Sequence, residues 1–313
     1  MNRPPSAIPF RVELQKILLQ PGTVFMLYDY LLFSIKVVLY EKDVMNMNKW
    51  LRMGLIIFFS VVFVVSGYMV IDYTLRSRHQ ANTFRDLADM VDKATPTQPQ
   101  KPVTTTPSPE DEPIETEPPT EPGPLPEYIE VSKLNPDMVG WIRIEDTKVN
   151  YPVMHKPDEK DAYLHRDFYG EYSYHGCLYA QEECSIDPAS DNITIYGHNM
   201  NDGSMFAALT KYSNKSFWET HRYITFDTLM EHHTYEVFAV FTTTASKGQG
   251  FTYHQFINAK DQAEFDDFIS DCKIRNFYDT GITPEYGDKL ITLSTCEYSQ
   301  KNGRFVVVAK RIS

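Results

Sequence analysis

Leu290-Ile-Thr-Leu-Ser-Thr-Cys296 and Arg304-Phe-Val-Val-Val-Ala-Lys310 are two apolar runs separated by a short polar stretch, residues 297–303. Runs of this length, rich in β-branched side chains and bounded by polar turns, read as strands. The first ends in a thiol and the second opens on a guanidinium, so together they set Cys296 and Arg304 at neighbouring strand ends. A third run, Asn192-Ile-Thr-Ile-Tyr196, delivers Gly197-His198-Asn199-Met200 immediately afterwards. A thiol, an imidazole and a guanidinium at three strand ends make a nucleophilic site.

Working outward, further strand-like runs cover residues 139–144, 149–154, 177–180, 223–226 and 234–242, and the three runs above extend over 192–196, 289–295 and 304–311. Short β-branched and aromatic runs between polar turns are the pattern of a sandwich or barrel, so the fold is expected to be mainly β. Helical patterns break the series at three places. A short helix over 128–138 is interrupted at Asn135-Pro136, another covers 205–211, and a third covers 260–272, where Phe265, Phe268 and Ile269 share one face.

The amino-terminal third is of a different kind. Residues 53–71 form an uncharged apolar stretch, and about 20 such residues are what a bilayer-spanning helix requires. Lys49 and Arg52 precede it and Arg76 and Arg78 follow it, so basic residues alone leave its orientation open. An earlier apolar stretch, residues 24–40, contains Asp29 and Lys36 and is not expected to span. From residue 95 to 126 the sequence is dominated by Pro, Thr and Glu. It lacks the apolar surface needed to fold and is expected to be an extended stalk reaching up to roughly 100 Å. The 313-residue chain carries a formal net charge of -12 with no basic stripe, which argues against a nucleic-acid partner.

The four cysteines, Cys177, Cys184, Cys272 and Cys296, form neither a dense disulfide framework nor paired zinc-ligand spacing. A Cys177–Cys184 bridge is left open, and Cys272 reads as a small buried residue of the last helix. A cysteine is mostly thiol at neutral pH, so a catalytic one needs a base or a positive neighbourhood. His198 supplies the base and can return the proton as general acid. A guanidinium does not deprotonate, so Arg304 is no base; its fork of donors suits a carbonyl oxygen or the oxyanion formed from it. Taken singly, each has a plainer reading, as a packed cysteine, an ordinary loop histidine and a solvated strand end. Alternation sends Ser294 and Thr295 to opposite faces, so only one can share the pocket of Cys296, and Ser294 is expected to be that one.

The combined text is more specific than its parts. Thr292-Leu-Ser-Thr-Cys296, Arg304-Phe-Val-Val-Val-Ala309 and Tyr196-Gly-His-Asn199 resemble the motifs of the sortase superfamily, class B. The likeness runs from Leu134 to the carboxy terminus, takes in Asn135-Pro-Asp-Met-Val-Gly-Trp-Ile142 and Tyr151-Pro-Val153, and includes the helix-bearing insertion after Thr242.

This resemblance implies an eight-stranded sortase β-barrel with added helices, preceded by a transmembrane helix and a disordered stalk. The implied division is a cytoplasmic tail or extended start over 1–52, a signal-anchor helix over 53–73 and a juxtamembrane segment over 74–94. A linker over 95–126 and the catalytic domain over 127–313 follow. It implies a single-pass protein of the Gram-positive cell membrane with its catalytic domain outside. The implied enzyme is a cysteine transpeptidase in which Cys296, His198 and Arg304 cleave a carboxy-terminal sorting signal of the Asn-Pro-x-Thr-x type. The implied partners are a surface protein bearing that signal and a peptidoglycan precursor or cross-bridge amine. A pilin lysine as acceptor and, less favoured, simple thiol hydrolysis stay open. By place in the family pattern Ser294, Thr295, Tyr163, Leu164, Tyr253 and Glu297 are expected at the substrate groove. No metal or cofactor is expected. A papain-like hydrolase is disfavoured, because that family has its cysteine early and its histidine late.

Overall fold

The computed structural model describes residues 48–95, 123–246, 248–299 and 301–313. The first 47 residues of the expected tail, and residues 96–122 of the expected stalk, lie outside the described residues. The chain divides into two compact units, Met1–Leu75 and Arg76–Ser313. Helix α1 (Lys49–Ala94) begins in the first unit, and its part there includes the expected span. Among the described residues it is the one helix long and apolar enough to cross a membrane.

The second unit is built on a closed barrel. After α2 (Pro126–Leu134) come β1 (Met138–Arg143), β2 (Asn150–Met154), β3 (Leu178–Ala180) and β4 (Asn192–Tyr196). A 3-10 turn (Phe206–Ser213) and α3 (Lys215–Thr220) lead to β5 (Tyr223–Thr228) and β6 (Thr234–Thr244). A second 3-10 turn (Tyr253–Gln255) and α4 (Gln262–Arg275) precede β7 (Leu290–Glu297) and β8 (Gly303–Arg311). Around the barrel the strands run β1-β2-β3-β4-β7-β8-β6-β5. The β2–β3 and β4–β7 pairs are parallel, and β4 therefore lies beside β7 although nearly a hundred residues separate them.

The two decisive apolar runs occupy β7 and β8, and both of their faces are covered. Ile291, Leu293, Phe305, Val307 and Ala309 belong to the main core, with Ile142, Val153, Ile195 and Phe226. The alternate residues Leu290, Val306 and Val308 pack in a second cluster with Phe265, Phe268, Ile269 and Cys272 of α4. A strand covered on both sides has no polar face to alternate with, hence the continuous apolar text. Asp261 caps α4 by accepting from the Glu264 amide at 3.0 Å. Lys273 and Arg275 sit in the last turn, where the helix dipole favours cations.

Two expectations need correction, and one open question is answered. Of the juxtamembrane segment expected over 74–94, residues 76–94 belong to the barrel's compact unit. Gln80, Phe84, Leu87, Ala88 and Val91 are buried, and the Phe84 ring meets Tyr151 edge-on at 5.1 Å. Gln80 Nε2 donates to the Gly176 carbonyl at 2.7 Å, and Arg143 pairs with Asp92 at 2.8 Å. The helix expected over 205–211 is a 3-10 turn, followed by the unanticipated α3, which Asn214 caps. The bridge left open between Cys177 and Cys184 is not formed, and both are buried free thiols.

Candidate active site

Cys296 and Arg304 are directly opposed across the antiparallel β7–β8 pair. Opposed residues project from the same face with Cβ atoms about 5 Å apart. By alternation it is the face that carries Leu290, Val306 and Val308, the one covered by the β6–β7 insertion. The site thus opens where the cover of that insertion ends. β7 is buried from Leu290 to Thr295 and becomes half-exposed at Cys296. Of the four cysteines only Cys296 escapes burial. Burial pushes the thiols of Cys177 and Cys272 well above their ordinary range and that of Cys184 up to about 11, so these three are poor nucleophiles.

His198 reaches the same place from β4. Tyr196 stands level with Ser294 in the parallel β4–β7 register, and the same register continued by two residues sets His198 level with Cys296. Three hydrogen bonds hold the chain there after the strand ends. The Gly197 amide donates to the Ser294 carbonyl at 3.1 Å, Thr295 Oγ1 donates to the Gly197 carbonyl at 2.7 Å, and Asn199 Nδ2 donates to the Cys296 carbonyl at 3.0 Å. Gly197 has to be glycine, since a Cβ would collide with Leu178 and lie 2.7 Å from the Phe206 ring.

The His198 Nε2 lies 2.8 Å from the Leu164 carbonyl oxygen. A carbonyl only accepts, so Nε2 carries a hydrogen in the neutral and the cationic ring alike, and Nδ1 is the nitrogen that gains and loses a proton. Burial pushes the His198 pKa down, the bond to Leu164 partly offsets this, and His165 and His175 add like-charge repulsion. The imidazole is therefore biased toward its neutral, basic form. Arg304 donates from Nη1 to the Gly303 carbonyl at 3.1 Å and has no carboxylate partner among the described residues. The rest of its fork is available to a substrate oxygen.

The expected groove residues divide. Ser294 shares the face of Cys296 as alternation requires, but it is buried and its hydroxyl is bonded to the Tyr253 hydroxyl at 2.6 Å. Tyr253, also buried, forms the wall of the insertion behind the thiol. Thr295 faces the other way and braces the histidine loop. Leu164 is half-buried and holds His198 through its backbone. The Glu297 carboxylate accepts from the Ser299 amide and hydroxyl, both at 2.7 Å, and pairs with neither Arg304 nor His198. Tyr163 is not brought into an open groove. Its ring is buried, its hydroxyl donates to Asp137 at 2.8 Å and accepts from Asn135 at 2.9 Å, and burial raises its pKa to about 12.

The sequence reading missed Asn199 as a tie to Cys296 and His165, whose ring stacks on His198 with centroids 5.4 Å apart. The Asn was present in the quoted Gly-His-Asn text, whereas nothing in the local sequence pointed to His165. Among the described residues no group of three or more His, Cys, Asp or Glu side chains is arranged to hold a metal ion.

Comparison with known proteins gives the arrangement a family setting. Residues 142–312 match the family model of the sortase domain. The chain is 33% identical over 189 residues to Sortase B of Listeria monocytogenes, covering 60% of this chain and 74% of the relative. It is 32% identical over 189 residues to Sortase B of Staphylococcus aureus, covering 60% and 75%. The crystal structure of sortase B from Bacillus anthracis in complex with AAEK1 superimposes with a TM-score of 0.59 at 28% identity, over 77% of this chain and 99% of that one.

Proposed function

The chain belongs to the sortase family, class B, and is a sortase-type cysteine transpeptidase; from that premise we propose that Cys296, His198 and Arg304 carry the reaction on a sorting signal of the Asn-Pro-x-Thr-x type. As the Cys296 sulfur attacks the Thr carbonyl carbon, the thiol proton passes to His198 Nδ1, and the Arg304 fork stabilises the oxyanion that forms. The amide C–N bond breaks as the departing amine takes a proton from His198 Nδ1, leaving a thioester on Cys296. An acceptor amine of a cell-wall cross-bridge then loses a proton to Nδ1 and attacks the thioester, and the thiolate leaves.

The observation that carries this reading is the direct pairing of Cys296 with Arg304 at the point where β7 emerges from burial. A guanidinium with no carboxylate partner among the described residues, next to the one unburied thiol, supports the roles of oxyanion donor and nucleophile. The apolar part of α1 supports a membrane anchor, and the family setting supports a catalytic unit on the cell surface. The test is cleavage of an Asn-Pro-x-Thr-x peptide with and without a cross-bridge peptide amine. Cys296→Ala and His198→Ala should each abolish cleavage while leaving the circular dichroism spectrum unchanged. The acceptor should convert hydrolysed product into amide-linked product. Full turnover by either variant would remove the assigned roles, and transfer only to a pilin lysine would move the acceptor class.

A further inference from the structure

The segment that supplies the Leu164 carbonyl also supplies a ring. His165 stacks on His198 with centroids 5.4 Å apart and planes inclined by 28°, and Tyr172 in turn stacks on His165 at 6.2 Å and 30°. Backbone pairing between Arg166 and Tyr172 joins the two ends of this loop, so the Tyr172 ring is held to that of His165 by the chain itself. The hydrogen bond from Nε2 to Leu164 fixes one point of the His198 ring but leaves it free to rock about that bond. A flat neighbour against its face removes that freedom. The acid–base role of His198 depends on where Nδ1 points, and a small misplacement of a reacting group is costly in rate.

We propose that His165 is a positioning residue for the transpeptidation, its ring, itself packed on Tyr172, holding His198 Nδ1 toward Cys296. This rests on the assignment of His198 as the acid–base. The groups facing His198 are the Leu164 carbonyl, His165 and His175, and the nearest further charges along the His165 loop, Arg166 and Glu159, are paired with each other at 2.7 Å. His165 is exposed, so its replacement leaves the core intact. It is also a second positive charge next to His198 when protonated, and this adds to the downward bias of the His198 pKa.

The test uses the full-length protein in detergent micelles with 15N-labelled histidine, comparing wild type, His165→Ala, His165→Phe and His198→Ala. Loss of an aromatic stacking partner should lower kcat roughly threefold to tenfold in His165→Ala with little change in KM, and the flat ring of His165→Phe should restore most of it. In the NMR spectra His198 of the wild type should be in the Nε2–H tautomer. His165→Phe should keep that tautomer and raise the His198 titration midpoint, because the like charge is gone. His165→Ala should broaden the His198 signals or mix its tautomers. Unchanged His198 signals in His165→Ala, or equal loss of kcat in the Ala and Phe variants, would overturn the positioning role. Retained activity in His198→Ala would instead overturn the assignment on which it rests, and the two failures are distinguishable.

Discussion

Cys296 shares its chemistry with three other cysteines and differs from them in surroundings, and that difference can be read out directly. Iodoacetamide applied to the native protein should modify Cys296 alone, whereas in denaturant all four cysteines should react; mass spectrometry of the peptides counts them. Early labelling of Cys177 or Cys184, or a disulfide between them, would contradict their burial as free thiols. At Arg304 the planar fork matters more than the charge. Arg304→Lys should lower kcat/KM for the sorting peptide by about 10²–10³, the range for losing an oxyanion donor, since an ammonium offers no fork opposite Cys296. Gly197→Ala should cost activity without touching any reacting group, because its methyl collides with Leu178 and Phe206 and shifts His198; a kinetic assay showing wild-type kcat would contradict that close approach. The three polar residues at the site were legible because Cys296 closes one apolar run, Arg304 opens another and His198 follows a third after a single glycine. Ser294 was legible as to face but not as to partner, because its bond to Tyr253 joins residues far apart in sequence.

At the scale of elements, strands β4, β7 and β8 fall where their β-branched runs predict, within two residues at either end. The end of β6 slips by the same two residues, the strand continuing through Thr243 and Thr244. The second half of α1 was overlooked although its buried positions, Gln80, Phe84, Leu87, Ala88 and Val91, recur at helical spacing. Its polar, charged outer face and its place between an apolar span and a Pro-rich stretch hid the stripe. That helix packs as core, so Leu87→Ala should destabilise the folded unit by about 2–5 kcal/mol, as large-to-small changes at fully buried sites do. Urea denaturation of the detergent-solubilised protein measures this, and a change below about 0.5 kcal/mol would show that residues 76–94 are an appendage and not part of the unit.

For the whole molecule, acid is the natural stress. His198, His233 and His254 all have pKa values pushed down, with burial the first cause in each. As pH falls through the unfolded value of about 6.5, the unfolded chain binds protons that these folded sites refuse. Stability should therefore decline from about pH 6.5 downward, and the decline from these groups should level off below their folded values. The urea midpoint at pH 5.5 should lie below that at pH 7.5, and an equal or higher midpoint would contradict the burial of the three rings. The sequence by itself determined the β-rich class, the apolar stretch of residues 53–71 and the choice of Cys296, His198 and Arg304 as the candidate thiol, imidazole and guanidinium, because patterning and residue chemistry are local. Only the tertiary structure decided that β4 lies parallel beside β7, that the Ser294 hydroxyl meets that of Tyr253, and that Leu164 and His165 meet the imidazole. Those contacts join distant segments through barrel closure, and nothing in a strand's own text names its neighbour.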